Sequence, residues 1–308
     1  RIVSLAPSDR SHFGSRLQSS MDIWASWFRR FLGRAGFTRS YSKSPAWTPR
    51  LVMESAEHPS ARDWSWVGNL LETGEDIPAR ARLETSSRLG LVLLNTPLSE
   101  TRLRYFWAQA DTRICADGAA NRLLRHDLTP DTLIGDFDSI APETLDAFRS
   151  RGVPIRDLSY DQDTTDLEKS LAVVRETGCD RTLVAGQFAG VEGRLDHTFG
   201  IANALHQNAD MQIVVMGDDC HMFLLTPGEH QLYIPTTNTV VHCGLVPLGS
   251  PCSDISTTGL KWNMTNGRME FGGLISVCNQ LDPSANGHVW VNTNSPVLWM
   301  CSLPRVRE

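Results

Sequence analysis

The chain has 308 residues, 41% of them hydrophobic and 21% charged, which is enough for two ordinary domains, or for one large domain with an extension, and for a substantial core. No apolar run reaches the roughly 18 residues of a membrane-spanning helix, and a net charge of -6 argues against nucleic-acid binding as the main activity. Seven scattered cysteines without a C-x-x-C pair match neither a zinc site nor a disulfide scaffold, so a reducing, cytoplasmic setting is the expectation.

The charge is unevenly spread. Residues 1–50 hold nine Lys/Arg against two acids, leaving 20 bases and 33 acids for the other 258 residues. In this basic stretch Met21, Trp24, Phe28, Phe31 and Ala35 recur at helical spacing, with Arg29 and Arg30 on the far side. An organelle-targeting presequence over 21–41 is one reading, which would make the compartment mitochondrial or another organelle. A plain extension is the other. Pro45, Pro49, Pro59 and Pro78 stand in a stretch of little periodicity, read as a linker over 45–88. Residues 1–88 are thus taken as extension and linker.

From Leu89 the texture changes. Strands are predicted at Leu89–Leu94, Arg113–Ala116, Thr132–Ile134, Ile155–Leu158, Arg181–Ala185 and Met211–Met216. They alternate with helices at Gly118–Arg125, Pro142–Arg151, Leu167–Glu176 and Asp196–Gln207. Such alternation defines an α/β domain with a mainly parallel, Rossmann-like sheet, assigned to residues 89–223. Beyond Phe223 only strand-like segments follow, at His230–Ile234, Thr239–Val246, Ser253–Thr257, Arg268–Phe271, Leu274–Cys278, His288–Val291 and Val297–Ser302. Pro227-Gly228, Asn266-Gly267, Gly272-Gly273 and Asn286-Gly287 punctuate them. Residues 224–308 are read as an all-β domain, a sandwich or barrel.

Acidic residues gather just beyond the predicted strands: Asp117 after the second, Asp136 and Asp138 after the third, Asp161, Asp163 and Asp166 after the fourth. Asp196 follows ten residues after Gly186. Ligands of open α/β sheets bind beyond the carboxyl ends of the strands. Carboxylates converging there repel one another unless a cation sits among them, and Mg²⁺ bridges carboxylates to phosphates. Singly, each aspartate reads as well as a turn or cap; Asp163 could cap a helix starting near Thr164, with Asp166 completing the turn. Gly186, Gly190 and Gly193-Arg194 offer amides and a cation to an anion. His197 reads as a ligand, a base or a local hydrogen-bonding residue. No G-x-S-x-G, H-R-D or G-x-x-x-x-G-K-[ST] is present, which removes serine hydrolases, protein kinases and P-loop kinases. Trp262, within Thr257-Thr258-Gly259-Leu260-Lys261-Trp262-Asn263, reads either as a stacking platform or as a core residue.

Taken together, these motifs resemble the thiamine pyrophosphokinase family. The matching stretches are Leu94-Asn95-Thr96-Pro97-Leu98, Ala116-Asp117-Gly118-Ala119-Ala120-Asn121-Arg122 and Gly135-Asp136-Phe137-Asp138-Ser139. Asp161-Gln162-Asp163-Thr164-Thr165-Asp166 and Gly193-Arg194-Leu195-Asp196-His197 follow, then Gly244-Leu245-Val246-Pro247-Leu248-Gly249 and Thr257 through Asn263. The resemblance implies an ATP- and Mg²⁺-binding α/β domain, a thiamine-binding β-sandwich and a homodimer. The reaction it implies moves pyrophosphate from ATP to thiamine, giving thiamine diphosphate and AMP. It places Asp136, Asp138 and Asp166 at the metal and Asp161, Gln162, Asp163 and Asp196 in the catalytic site, Asp161 and Asp196 being the candidates for the base. Asn95, Asp117, Asn121, Arg122, Ser139, Thr165 and Arg194 would contact the nucleotide, and Trp262, Thr257 and Thr258 thiamine. Two departures stand out: the family's paired glycines are Gly118-Ala119 and Gly186-Gln187 here, and the link from Phe188 to Gly193 is longer. A binding protein of the same fold that has lost catalysis is the alternative.

Overall fold

A computed structural model describes residues 61–71, 87–189, 193–235 and 241–303; the expected basic helix and the rest of the extension lie outside them. Six strands form a parallel sheet: β2 (Leu89–Leu93), β3 (Thr112–Ala116), β4 (Thr132–Gly135), β5 (Ile155–Asp157), β6 (Arg181–Ala185) and β7 (Gln212–Met216). Their order is β5-β4-β3-β2-β6-β7. The chain thus builds outward from β2 in one direction, then returns to β2's other side with β6. That reversal opens a crevice at the carboxyl ends of β2 and β6, where open α/β sheets bind ligands.

Helices cover both faces, which is why β2 is buried at every position. Leu91 and Leu93 face α2 (Glu100–Gln109), α3 (Ala119–Arg125) and α4 (Pro142–Ser150), meeting Leu103, Phe106, Leu123 and Phe148. Val92 faces the other way, against α5 (Asp166–Glu176) and α6 (Leu195–Gln207) through Leu171, Val174, Ile201 and Leu205. Helix α4 starts with Pro142 in its first turn. Helix α2 has no predicted counterpart. Its fully buried apolar residues are only Leu103 and Phe106, with Tyr105 and Trp107 half-buried against the same core, while Arg102 and Gln109 also turn inward. Its N-cap, Ser99, was the available signal.

After β7 the chain reverses into β8 (Cys220–Leu225) and continues in strands, with a 3-10 turn at Pro283–Ala285: β9 (Gly228–Tyr233), β10 (His242–Pro247), β11 (Cys252–Thr258), β12 (Gly267–Met269), β13 (Ser276–Gln280), β14 (His288–Thr293) and β15 (Val297–Ser302). Strands β8, β15, β10 and β13 extend the parallel sheet antiparallel to ten strands. A second sheet, β1 (Arg62–Asp63)-β9-β14-β11-β12, packs over that extension through Leu232, Val289, Val291 and Ile255 against Leu245, Val297 and Trp299. The sandwich therefore shares a sheet with the α/β part, and the expected boundary at residue 223 falls inside β8.

The linker expected over 45–88 is corrected at 61–71, which form β1 (Arg62–Asp63) and α1 (Ser65–Leu71) and bury Trp64, Trp66, Val67 and Leu70. Strand β1 pairs in parallel with β9, a partner so distant in sequence that local periodicity carries no trace of it.

Two histidines are buried in neutral form. His221 accepts from the Trp299 indole at 3.2 Å, and burial pushes its pKa down to about 3. His230 accepts from the Trp64 indole at Nδ1, leaving Nε2 to donate to the Thr226 carbonyl, and burial lowers it too. A histidine depressed in the folded state favours folding above its unfolded pKa and loses that contribution as pH falls through the window below about 6.5. Thermal melts are therefore expected to show stability declining from about pH 6.5 downward, by up to about 1.4 kcal/mol per pH unit for each histidine. His221→Gln, which keeps an acceptor for Trp299, should flatten that slope; an unchanged slope would count against the assignment.

Candidate active site

Beyond the carboxyl ends of β3 and β4 the loop tips bring together what the sequence scattered. Carboxylate oxygens of Asp117, Asp136 and Asp138 lie within 4.8 Å of one another. Asp117 follows β3 with φ 38°, and Phe137 sits between the other two with φ 62°, both in the left-handed region that non-glycine residues seldom occupy. Gly135 allows the approach, since a Cβ there would stand 2.9 Å from that of Asp117. Asp117 is only 3% exposed and its Oδ1 has no partner. Burial raises its pKa, and the neighbouring Asp138 and Asp136 push it the same way, against the Gly118 amide and the Ser139 hydroxyl.

Asp166, at the first turn of α5, lies outside that triad but feels it. Burial raises its pKa, followed by the charge of Asp117, with Lys169 opposing at 4.0 Å. Lys169 is buried among the helix's apolar residues, and the sequence reading missed it because a lysine at helical spacing reads as surface. The N-cap of α5 is Thr165, reciprocally bonded to Glu168. This replaces the expected cap at Asp163, whose amide instead donates to Asp161.

A cavity of about 270 Å³ occupies the crevice, lined by Leu94, Asn95 and Thr96 after β2, Thr165 and Asp166 of α5, Gln187 and Phe188 after β6, and Asp196 and His197 of α6. Arg122 donates to the Thr96 carbonyl, while its Nη1 and the Thr96 hydroxyl are buried without partners. Asn121 donates to the Ser139 carbonyl at 3.0 Å and accepts from the Ala141 amide at 2.9 Å, so it anchors the loop carrying Asp138. Ser139 donates to Asp138 at 2.7 Å. Gly118 must be glycine: a Cβ would meet Asn95 at 2.5 Å and the Ser139 carbonyl at 2.8 Å. Ala119, in contrast, sits buried at the start of α3 without a positive φ, so the alanine in place of glycine is accommodated.

The remaining expected residues are peripheral to the acidic cluster. Asp161 is occupied by Thr164, through hydroxyl and amide, which holds its carboxyl below the usual range. Gln162 donates to the Ser159 carbonyl. Asp196 pairs with Arg194 at the exposed start of α6, which likewise holds it low. In the sandwich Thr257 is buried and closes a turn by accepting from the Met264 amide, while Thr258 is exposed. That turn presents Trp262, 55% exposed, with Asn279 bonding both its amide and its carbonyl. The core reading of Trp262 is thereby excluded. Lys261 lies over its ring at 4.6 Å.

A doubly wound α/β sheet with carboxylates converging beyond the carboxyl ends of its strands, joined to a β-sandwich, defines a class of enzyme that handles phosphorylated ligands. Residues 103–216 match the signature described as thiamin pyrophosphokinase, catalytic domain, and residues 229–298 match the vitamin B1 binding domain of the same enzyme. Thiamine pyrophosphokinase 3 of Oryza sativa subsp. japonica is 36% identical, the match covering 69% of this chain and 86% of the relative. Thiamine pyrophosphokinase 1 of Arabidopsis thaliana is 35% identical over 72% and 88% of the two chains. In fold, thiamin pyrophosphokinase from Candida albicans superposes with a TM-score of 0.64 at 22% identity, covering 81% of this chain and 95% of that one. The chain belongs to the thiamin pyrophosphokinase family.

Proposed function

We propose that the chain transfers the pyrophosphoryl group of ATP to the hydroxyl of thiamine, yielding thiamine diphosphate and AMP. The observation that carries this reading is the Asp117–Asp136–Asp138 cluster beyond β3 and β4, whose charges act on the cavity-lining Asp166, in a chain that matches both domains of the family. An all-oxygen donor set with one buried, unpartnered carboxylate oxygen fits Mg²⁺. Asp117, Asp136 and Asp138 would hold it with Asp166 alongside, and when bound it would neutralise charge on the phosphate oxygens. Asn121 and Ser139 keep Asp138 in place, and the free Nη1 of Arg122 offers a fixed cation beside the cavity. Asp161 and Asp196, already hydrogen-bonded and held at low pKa, suit orienting roles better than proton abstraction.

Thiamine carries a cationic thiazolium, which suits an acidic mouth and an exposed tryptophan face. Trp262→Ala is expected to raise the KM for thiamine about 5- to 150-fold, equivalent to about 1–3 kcal/mol, with the KM for ATP and the melting temperature unchanged. Steady-state kinetics check this, and a fall in stability without a change in thiamine KM would oppose it. Trp262, Phe271, Leu274 and Val277 are exposed on one segment of the sandwich, which supports a homodimer; light scattering with size exclusion tests it. Among the described residues no helix is long and apolar enough to cross a membrane.

The deciding experiment incubates the purified chain with ATP, Mg²⁺ and thiamine and separates the products. Thiamine-dependent AMP with thiamine diphosphate is expected. ADP with thiamine monophosphate would overturn the assignment of the phosphorus attacked, and absence of turnover would overturn the enzyme itself.

A further inference from the structure

We infer that Gln187 and Asp218 are positioning residues that fasten both loops of the nucleotide cavity to the β7–β8 turn; the inference rests on the proposed reaction only for what the cavity binds. Gln187 follows Gly186 at the end of β6 and is 6% exposed. Its carboxamide is used at both ends. Nε2 donates to the Ala189 carbonyl at 2.5 Å and to Asp219 Oδ1 at 2.7 Å, and Oε1 accepts from the Asp218 amide at 3.1 Å. Gly217 makes room for it, since a Cβ there would stand 2.5 Å from Oε1. Glycine in place of Gln187 could form none of these bonds, so the departure from the family's glycine pair adds a connection.

The second half of the clamp is Asp218. Its carboxylate accepts from the Ser99 hydroxyl at 2.6 Å and from the Ser99 amide at 2.9 Å. Its carbonyl accepts from Arg102, itself 2% exposed. Ser99 closes the loop that begins with the cavity-lining Asn95 and Thr96 and also caps α2. Between those points the Gln187 amide donates to the Pro97 carbonyl at 2.8 Å. The loop after β2 and the loop after β6 are therefore bonded to each other and to one turn, at which the parallel sheet gives way to the antiparallel strands. A buried amide with three satisfied bonds fixes position in a way an apolar contact does not. Loops so fixed present Thr96, Phe188 and their amides to a ligand without an ordering cost on binding.

Loosening the clamp should therefore weaken nucleotide binding more than the chemical step. Gln187→Ala and Asp218→Ala are each expected to raise the KM for ATP about tenfold, leaving kcat within about threefold and the KM for thiamine unchanged. Gln187→Glu, which sets a carboxylate against Asp219, should do more and recover partly as pH falls. Asp218→Asn retains an acceptor for Ser99 and should restore most of the ATP affinity. Hydrogen exchange gives a readout that needs no turnover: amides of 95, 96, 98, 99 and 187–189 should exchange faster in Gln187→Ala and near the native rate in Asp218→Asn. Native exchange in Gln187→Ala, or equal rises in both KM values, would overturn the clamp. A native chain without turnover, whose exchange still responds to Gln187→Ala, would overturn the reaction and leave the clamp standing.

Discussion

Asp117→Asn is expected to remove turnover and, in metal-free buffer, to raise the melting temperature. The two effects share one cause. Asp117 is buried with an unpartnered oxygen beside two further carboxylates, so ionising it costs free energy that the Gly118 amide and the Ser139 hydroxyl return only in part in the metal-free chain. Its folded pKa lies above its unfolded one. The folded state accordingly prefers the proton, and the charge is destabilising at every pH above the raised value. The penalty fades as pH falls towards the unfolded value, near 3.9, where the carboxyl is protonated whether folded or not. The variant's advantage should be full above the raised value, at about 2–4 °C for each kcal/mol relieved, and should vanish near pH 4. Turnover should fall at least about 10²- to 10³-fold, as when one charge-stabilising group is lost. Adding Mg²⁺ should stabilise the native chain and not the variant. A variant that melts lower at neutral pH, or one that keeps native turnover, would refute the role given to this carboxylate.

That the acidic cluster was legible at all follows from where it stands. Asp117, Asp136 and Asp138 sit one to three residues beyond buried β-branched strands, and a parallel sheet aligns those strand ends without further information. Which carboxylates meet was less legible, because the answer depends on backbone conformation. Two left-handed residues, Asp117 and Phe137, turn the first three towards one point, while Asp161 is drawn away into a turn by Thr164. Trp262 was ambiguous in sequence because tryptophan next to polar residues suits a core and a platform equally; the Asn279 anchor that turns it outward comes from β13. The clamp at Gln187 could not be read, since its partners Asp218 and Asp219 lie about thirty residues on and a glutamine after a strand carries no pattern. Proline-punctuated sequence around Trp64 likewise suggested a linker, although that tryptophan is among the most buried in the chain.

Trp64→Ala is expected to be the most destabilising single change among these residues, at about 3–5 kcal/mol by equilibrium denaturation. Trp64 is 1% exposed, its ring stacked on Phe223 of β8 at 4.3 Å and its indole N–H bonded to His230 of β9 at 3.1 Å. Its amide donates to Gln231, continuing the β1–β9 pairing. Around it, Arg62 reaches the Ala209 carbonyl, Arg181 of β6 lies over Trp66, and Tyr105 of α2 donates to the Asn69 carbonyl. Residues 61–71 thus touch the parallel sheet, helix α2 and both sheets of the sandwich at once. Truncating Trp64 opens a cavity between the sheets and leaves His230 Nδ1 without its donor, so transfer, cavity and hydrogen-bond costs add. Trp64→Phe keeps most of the stack and loses the bond, and should cost about 1–2 kcal/mol. Because the site residues lie on other elements, kcat at a permissive temperature should remain near native in both. A loss under about 1 kcal/mol in Trp64→Ala would show that β1 and α1 rest on the fold without supporting it.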